Sequence, residues 1–341
     1  MKIPRNIPCP CGSNIKYKRC CALADTPDED FLSDQLISDD LDPNEAMLEG
    51  IREQAEELGS ESLDSLSELM DTITPQQQKQ DAVDDFLGLS SEQMHDFLHS
   101  PFERPKLIRF ADDWQPKCKF MHLYDALVEF IGDEGVKATA RGRLPFKWTK
   151  ELYDNYDDGT LELKTGKIRS EMEFDALHTV RITAEQAGLI ELKKGRFRLT
   201  DIGTELQAPE RRAELVRILF EAYTQEFNWA YRDQADELEI IQRSFSFTLY
   251  MLSIFGEQTR HVDYYRHRFL QAFPASVEEV KDYDELRNED VVMSLYNLRS
   301  IERFALFFGL ITLEYPDKIK DRLDYSIKKT DQLDKLVKFY C

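Results

Sequence analysis

Four cysteines within thirteen residues, Cys9, Cys11, Cys20 and Cys21, are the side chains best suited to chemistry in this sequence. The chain begins Met1-Lys2-Ile3-Pro4-Arg5, with no apolar leader, so a reducing cytoplasmic compartment is expected. In such a compartment clustered thiols read as metal ligands before disulfides. Adjacent Cys20 and Cys21 cannot easily bond to each other. Two thiolates from a tight turn and two from the first turn of a following helix complete a tetrahedral site. Pro8, Pro10 and Gly12 shape that turn, and Gly12 is free to take positive φ. Lys16, Lys18 and Arg19 would lower the thiol pKa values and offset the surplus charge of four thiolates around a divalent ion. Four sulfurs close the coordination sphere and leave no place for a reactive water. The Cys-x-Cys and Cys-Cys spacings also differ from a redox Cys-x-x-Cys pair.

The residues around this head are sharply segregated by charge. Residues 1–21 hold five basic residues and no acid, whereas residues 22–71 hold seventeen acids and Arg52 as the single base. Residues 22–42 read as an acidic linker. Asp42-Pro43-Asn44-Glu45 looks like a helix start, and Leu48, Ile51, Ala55 and Leu58 space an apolar stripe behind it. Such weakly amphipathic helices present either a solvated face or an acidic arm that pairs with a basic surface.

The run Pro8-Cys9-Pro10-Cys11-Gly12-Ser13-Asn14-Ile15-Lys16-Tyr17-Lys18-Arg19-Cys20-Cys21, led in by Arg5 and Asn6, resembles the SEC-C motif. That motif is the small zinc-binding tail of the translocation ATPase SecA, and it recurs on bacterial proteins of varied architecture. Ile7, Asn14 and Ile15 depart from its usual acid, glycine and lysine, but none of the three is a ligand. The resemblance implies a zinc ion, with iron as the alternative, held by Cys9, Cys11, Cys20 and Cys21. It also implies docking onto a SecB-like chaperone or the ribosome, with Lys16, Tyr17, Lys18 and Arg19 as the partner-facing residues. The competing reading is a metal that merely ties down the N-terminus.

Further along, Gly88 to Phe102 forms a compact unit in which Ser90 or Ser91 caps a short helix with Met94, Phe97 and Leu98 on one face. It is similar to a stretch of uncharacterised bacterial proteins, some of which carry SEC-C. His95 and His99 have metal-compatible i, i+4 spacing, but no third ligand is evident, so ordinary surface histidines are expected.

From residue 120 the spacing predicts helices over 120–131, 145–153 and 173–187, with a short extended piece at Val136–Thr139. Ile190–Lys193 and Arg196–Leu199 alternate around a Lys-Gly turn, and Thr200-Asp201 caps a last helix. Three helices and a hairpin make a winged helix. The C-terminus repeats this ending: Phe308-Gly309-Leu310-Ile311-Thr312-Leu313 parallels Ala187-Gly188-Leu189-Ile190-Glu191-Leu192. There a long helix over 291–307 precedes the hairpin and a closing helix over 332–339 follows it. Helices over 213–231, 237–255 and 262–273 are expected to be a spacer. Lys193, Lys194, Arg196 and Arg198 on the first wing are the candidate nucleic-acid contacts, supported by Lys137, Arg141, Arg143, Lys147 and Lys150. In the second unit Arg299 and Arg303 stand on the third helix.

The fold class expected is therefore mainly α: a zinc-binding knob (1–22) and an acidic linker with weak helices (23–80). A helical region with the first winged-helix-like unit (81–210) follows, then the spacer and second unit (211–341). Forty-four basic against 65 acidic residues leave a net charge of −21, which opposes general nucleic-acid binding. The longest nearly apolar run is Ala305–Leu313, far short of the roughly 20 residues of a membrane-spanning helix. No G-x-S-x-G, Walker loop, G-x-G-x-x-G or H-E-x-x-H is present. These features favour a non-enzymatic interaction protein, with a winged-helix nucleic-acid binder as the alternative.

Overall fold

The computed structural model describes residues 82–157, 167–233, 235–281, 286–316 and 324–341, except for the side chain of Arg232. These residues belong to Thr74–Cys341, the second of two units into which the chain divides; the first is Met1–Ile73. The cysteine head, the expected partner-facing residues Lys16, Tyr17, Lys18 and Arg19, and the acidic stretch 23–80 fall outside the described residues.

Ser90 starts the first helix, α1 (Ser91–His99), with a capping box: its hydroxyl accepts from Gln93 N while Gln93 Oε1 accepts from Ser90 N. Met94 and Phe97 are buried, and His95 and His99 lie exposed with ring centroids 4.4 Å apart. The strand β1 (Ile108–Phe110) follows. Next comes α2 (Lys119–Ile131), whose Phe120, Leu123, Tyr124 and Leu127 form the inward stripe that helical periodicity requires.

A six-element pattern then occurs twice. In the first copy α2 leads to β2 (Val136–Lys137), α3 (Phe146–Asn155), α4 (Asp175–Gln186) and the hairpin of β3 (Ile190–Lys193) and β4 (Arg196–Leu199), with sheet order β2-β4-β3. After α5 (Asp201–Glu205), α6 (Arg212–Glu221) and α7 (Glu239–Arg243), the second copy begins. It comprises α8 (Phe245–Phe255), β5 (Arg260–His261), α9 (Val262–Ala272), α10 (Asn288–Tyr296) and the hairpin of β6 (Ile311–Glu314) and β7 (Ser326–Lys329), in sheet order β5-β7-β6. The registers match. Phe197 faces Val136 on one side and Leu192 on the other, just as Ile327 faces Arg260 and Leu313. Each hairpin is entered through a glycine with φ near +70°, Gly188 or Gly309, a conformation other residues adopt at a cost. The segments 245–255 and 262–272, expected as spacer, thus take the places in the second copy that α2 and α3 take in the first.

Two further departures from the sequence reading have physical causes. The helix α10 continues to Leu306 as a π-helix (Asn297–Leu306). Its wider turn aligns residues five apart: Asn297 Nδ2 donates to Glu302 Oε1 at 2.9 Å, and the Tyr325 hydroxyl donates to Asn297 Oδ1 at 3.0 Å. The closing helix α11 (Asp331–Leu336) stops early, and β8 (Val337–Phe339) pairs antiparallel with β1. Val337 and Phe339 alternate with exposed Lys338, a period-2 pattern that a strand satisfies and a helix does not.

Both copies share one core. Phe120 of α2 stacks on Phe308 at 4.8 Å, and Phe308 meets Phe220 and Tyr223 at 5.2 and 5.1 Å. Among the described residues no helix is long and apolar enough to cross a membrane.

Candidate functional site

The hairpin turn Lys194-Gly195 has positive φ at both residues, the two-residue turn whose twist suits antiparallel strands. Cross-strand pairing then decides which side chains share a face. Glu191 opposes Arg198, and Arg196 lies between Lys193 and Lys137. One face of the first sheet therefore carries Lys137, Lys193, Arg196 and Arg198 with Glu191 as its acid, while Phe197 is buried on the other. Lys194 stands exposed at the tip. Lys193 reaches Glu191 at 3.3 Å, and half-buried Arg196 donates to Gly135 O at 2.5 Å. The matching face of the second sheet holds His261, Thr312, Glu314, Ser326 and Lys328, so the cationic face is a property of the first copy.

The helix that would enter a nucleic-acid groove is placed differently. On α4 only Asp175 and Gln186 are exposed; Leu177, His178, Val180, Arg181, Thr183 and Ala184 are buried. Three buried polar side chains, Glu171, His178 and Arg181, form a cluster there. Glu171, 1% exposed, receives His178 Nδ1–H at 2.8 Å and Arg181 Nε–H at 2.5 Å on one oxygen, and Leu144 N–H at 2.6 Å on the other. Burial pushes the Glu171 carboxyl up, but these donors and the Arg181 charge outweigh it and hold the group below the usual carboxylate range. Arg181 also binds Glu185 at 2.7 Å and lies over the Phe197 ring at 5.4 Å. This cluster escaped the sequence reading. Its signal was present in Arg181, four residues after Leu177 on the apolar stripe of the helix.

In the second copy, Arg299 is not available to phosphate. It is 1% exposed, and its guanidinium grips both Asp233 oxygens at 2.8 Å and the carbonyls of Asp236 and Glu237 at 2.8 and 2.6 Å. Arg303 reaches Asp233 at 3.4 Å and Asp175 at 3.5 Å. Asp233 lies 66 residues away in sequence, so helical spacing could not reveal that Arg299 faces a carboxylate rather than solvent.

An open groove of about 630 Å³ lies beside these groups, lined by His99, Trp229, Leu238, Gln242, Arg243 and Arg299 among others. Its polar floor is already partnered. Gln242 accepts from Trp229 N and donates to the Thr224 and Phe227 carbonyls. Among the described residues no group of three or more His, Cys, Asp or Glu could hold a metal. Cys118 is buried in the core, and burial pushes its thiol up to about 11.

The family model of the SEC-C motif matches residues 5–23, which contain Cys9, Cys11, Cys20 and Cys21. Comparison with curated proteins and with solved structures finds no match.

Proposed function

We propose that this chain is a non-enzymatic, metal-binding interaction protein of the cytoplasm that docks on a protein partner or the ribosome through its N-terminal head. The observation that carries this reading is the SEC-C match over residues 5–23. The donor set fits zinc: Cys9, Cys11, Cys20 and Cys21 supply four thiolates, the closed complement of a structural site, with iron as the alternative. Bound there, the ion would supply cross-linking rather than catalysis, giving shape to a segment too short to bury a core. Lys16, Tyr17, Lys18 and Arg19 would then be presented to the partner. Residues 23–80 serve as the acidic tether, and 81–210 and 211–341 as the body.

We read the two matched six-element patterns as winged-helix units. Burial of α4 and of the Asn297–Leu306 helix supports their use as a scaffold, since neither offers a free helix to a groove. A pull-down comparing wild type with Cys20→Ser/Cys21→Ser tests docking; recovery of the same partners by both would sink it.

The cationic face of the first sheet favours a second reading, nucleic-acid contact through Lys193, Lys194, Arg196 and Arg198. With α4 buried, such contact would be to phosphates rather than base edges. A salt-dependent mobility shift that Lys193→Glu/Lys194→Glu leaves unchanged would eliminate it.

A further inference from the structure

Arg260 of β5 and Arg268 of α9 bring their guanidinium groups to the same two rings. Arg260 lies 4.9 Å from the Tyr264 centroid and 5.8 Å from that of Phe255; for Arg268 the distances are 5.3 and 5.7 Å. The rings themselves meet edge to face at 5.1 Å. Two half-buried guanidinium groups on one pair of rings leave a local excess of positive charge. Among the described residues no carboxylate lies within 4.0 Å of either. The acids nearby are engaged elsewhere: Asp263 with Arg266 and with His261, Glu257 with Lys329, Asp324 with His261, and Glu314 with Thr259.

The donors are largely unspent. Arg260 gives Nε–H to Phe255 O at 3.3 Å and one terminal N–H to Gln258 Oε1 at 3.1 Å. Arg268 is held by its two rings alone among the described residues. Both side chains are half-buried, and contact with the rings restrains them before any ligand arrives. In the first copy the register puts Val136 where Arg260 stands, so this arrangement belongs to the second copy only.

We propose that Arg260 and Arg268, held over Phe255 and Tyr264, bind a phosphate monoester dianion. A carboxylate has two oxygens and fills one fork. A phosphate monoester offers three oxygens to two forks, and its charge near −2 matches two guanidinium groups. None of these four residues belongs to the thiol head, so failure of phosphate binding leaves the docking reading untouched.

The test is calorimetric and ³¹P NMR titration of the full chain with inorganic phosphate, O-phosphoserine, dimethyl phosphate and acetate at low ionic strength. One-site saturable binding of phosphate or O-phosphoserine is expected, strengthening as pH rises through the second phosphate pKa near 6. Preference for inorganic phosphate identifies a free anion as the source, and preference for O-phosphoserine identifies a phosphorylated side chain. Arg268→Lys keeps the charge and loses the fork, so it should weaken binding about tenfold or more. Arg260→Gln/Arg268→Gln should abolish binding, while Lys193→Glu/Lys194→Glu should not change it. Non-saturable binding, equal affinity for dimethyl phosphate or acetate, or an Arg268→Lys protein that binds like wild type would overturn the proposal.

Discussion

Thr200 and Thr330 play matching parts in the two copies of the repeated pattern, differing in whether the capped N–H lies three or two residues on. Each hydroxyl donates to the carbonyl of the glycine that opens its hairpin, Gly188 or Gly309, at 2.7 Å. Each backbone N–H donates to the next residue's carbonyl, Leu189 at 3.1 Å or Leu310 at 2.9 Å. Each hydroxyl also caps the following helix, accepting from Gly203 N at 3.0 Å or Gln332 N at 3.2 Å. One side chain thus ties together the start of a hairpin, its end and the next helix.

Thr200→Ala and Thr330→Ala should each cost about 1–2 kcal/mol, the sum of a lost cap and an orphaned carbonyl. The two sites share no partner, so the double variant should show additive loss in urea unfolding. A silent Thr330→Ala beside a costly Thr200→Ala would show that the joints are not energetically equivalent.

Glu171→Gln should destabilise the body by about 1–3 kcal/mol, because His178, Arg181 and the Leu144 N–H lose their carboxylate acceptor while Arg181 keeps Glu185. The same carboxylate links stability to pH. Its folded pKa lies below the usual range, so its contribution is fully present above the unfolded value of about 4.3 and disappears as pH falls through the folded value. Wild type should therefore lose stability more steeply than Glu171→Gln below about pH 4.5. Parallel profiles from denaturant melts at stepped pH would contradict this.

Arg299→Met should cost about 3–5 kcal/mol, since Asp233 and the carbonyls of Asp236 and Glu237 lose their donors inside the body. Arg299→Lys should recover little, because one ammonium cannot replace a fork that spans both carboxylate oxygens. Equal denaturation midpoints for wild type and Arg299→Lys would show that charge alone suffices there.

Thiol labelling distinguishes three classes of cysteine in one experiment. Cys118, buried with its thiol pushed up to about 11, should react only on unfolding, whereas exposed Cys341 should react first. If the head encloses an ion, a chelator should add four labels, at Cys9, Cys11, Cys20 and Cys21, without releasing Cys118. Mass spectrometry of labelled protein counts them. Full labelling of the head before chelation contradicts metal binding there.

Local chemistry made much of this protein legible in its sequence. Caps at Ser90 and Thr200, the Lys194-Gly195 turn and the parallel glycine-led hairpins are decided within a few residues. The relevant partners in each case lie one turn or one strand away. The spacing of Cys9, Cys11, Cys20 and Cys21 is equally a property of a short segment. Tertiary structure decided what surrounds a side chain once it leaves its own element. The sequence places Arg181 and Arg299 on helices but not opposite Glu171 and Asp233, which turn them from candidate phosphate contacts or bystanders into internal ties. It shows Val337–Phe339 as the end of a helix, whereas the free edge of β1, more than 200 residues earlier, makes it a strand. Periodicity reports which face of an element is apolar; the choice of what covers that face is made by distant segments competing to bury it.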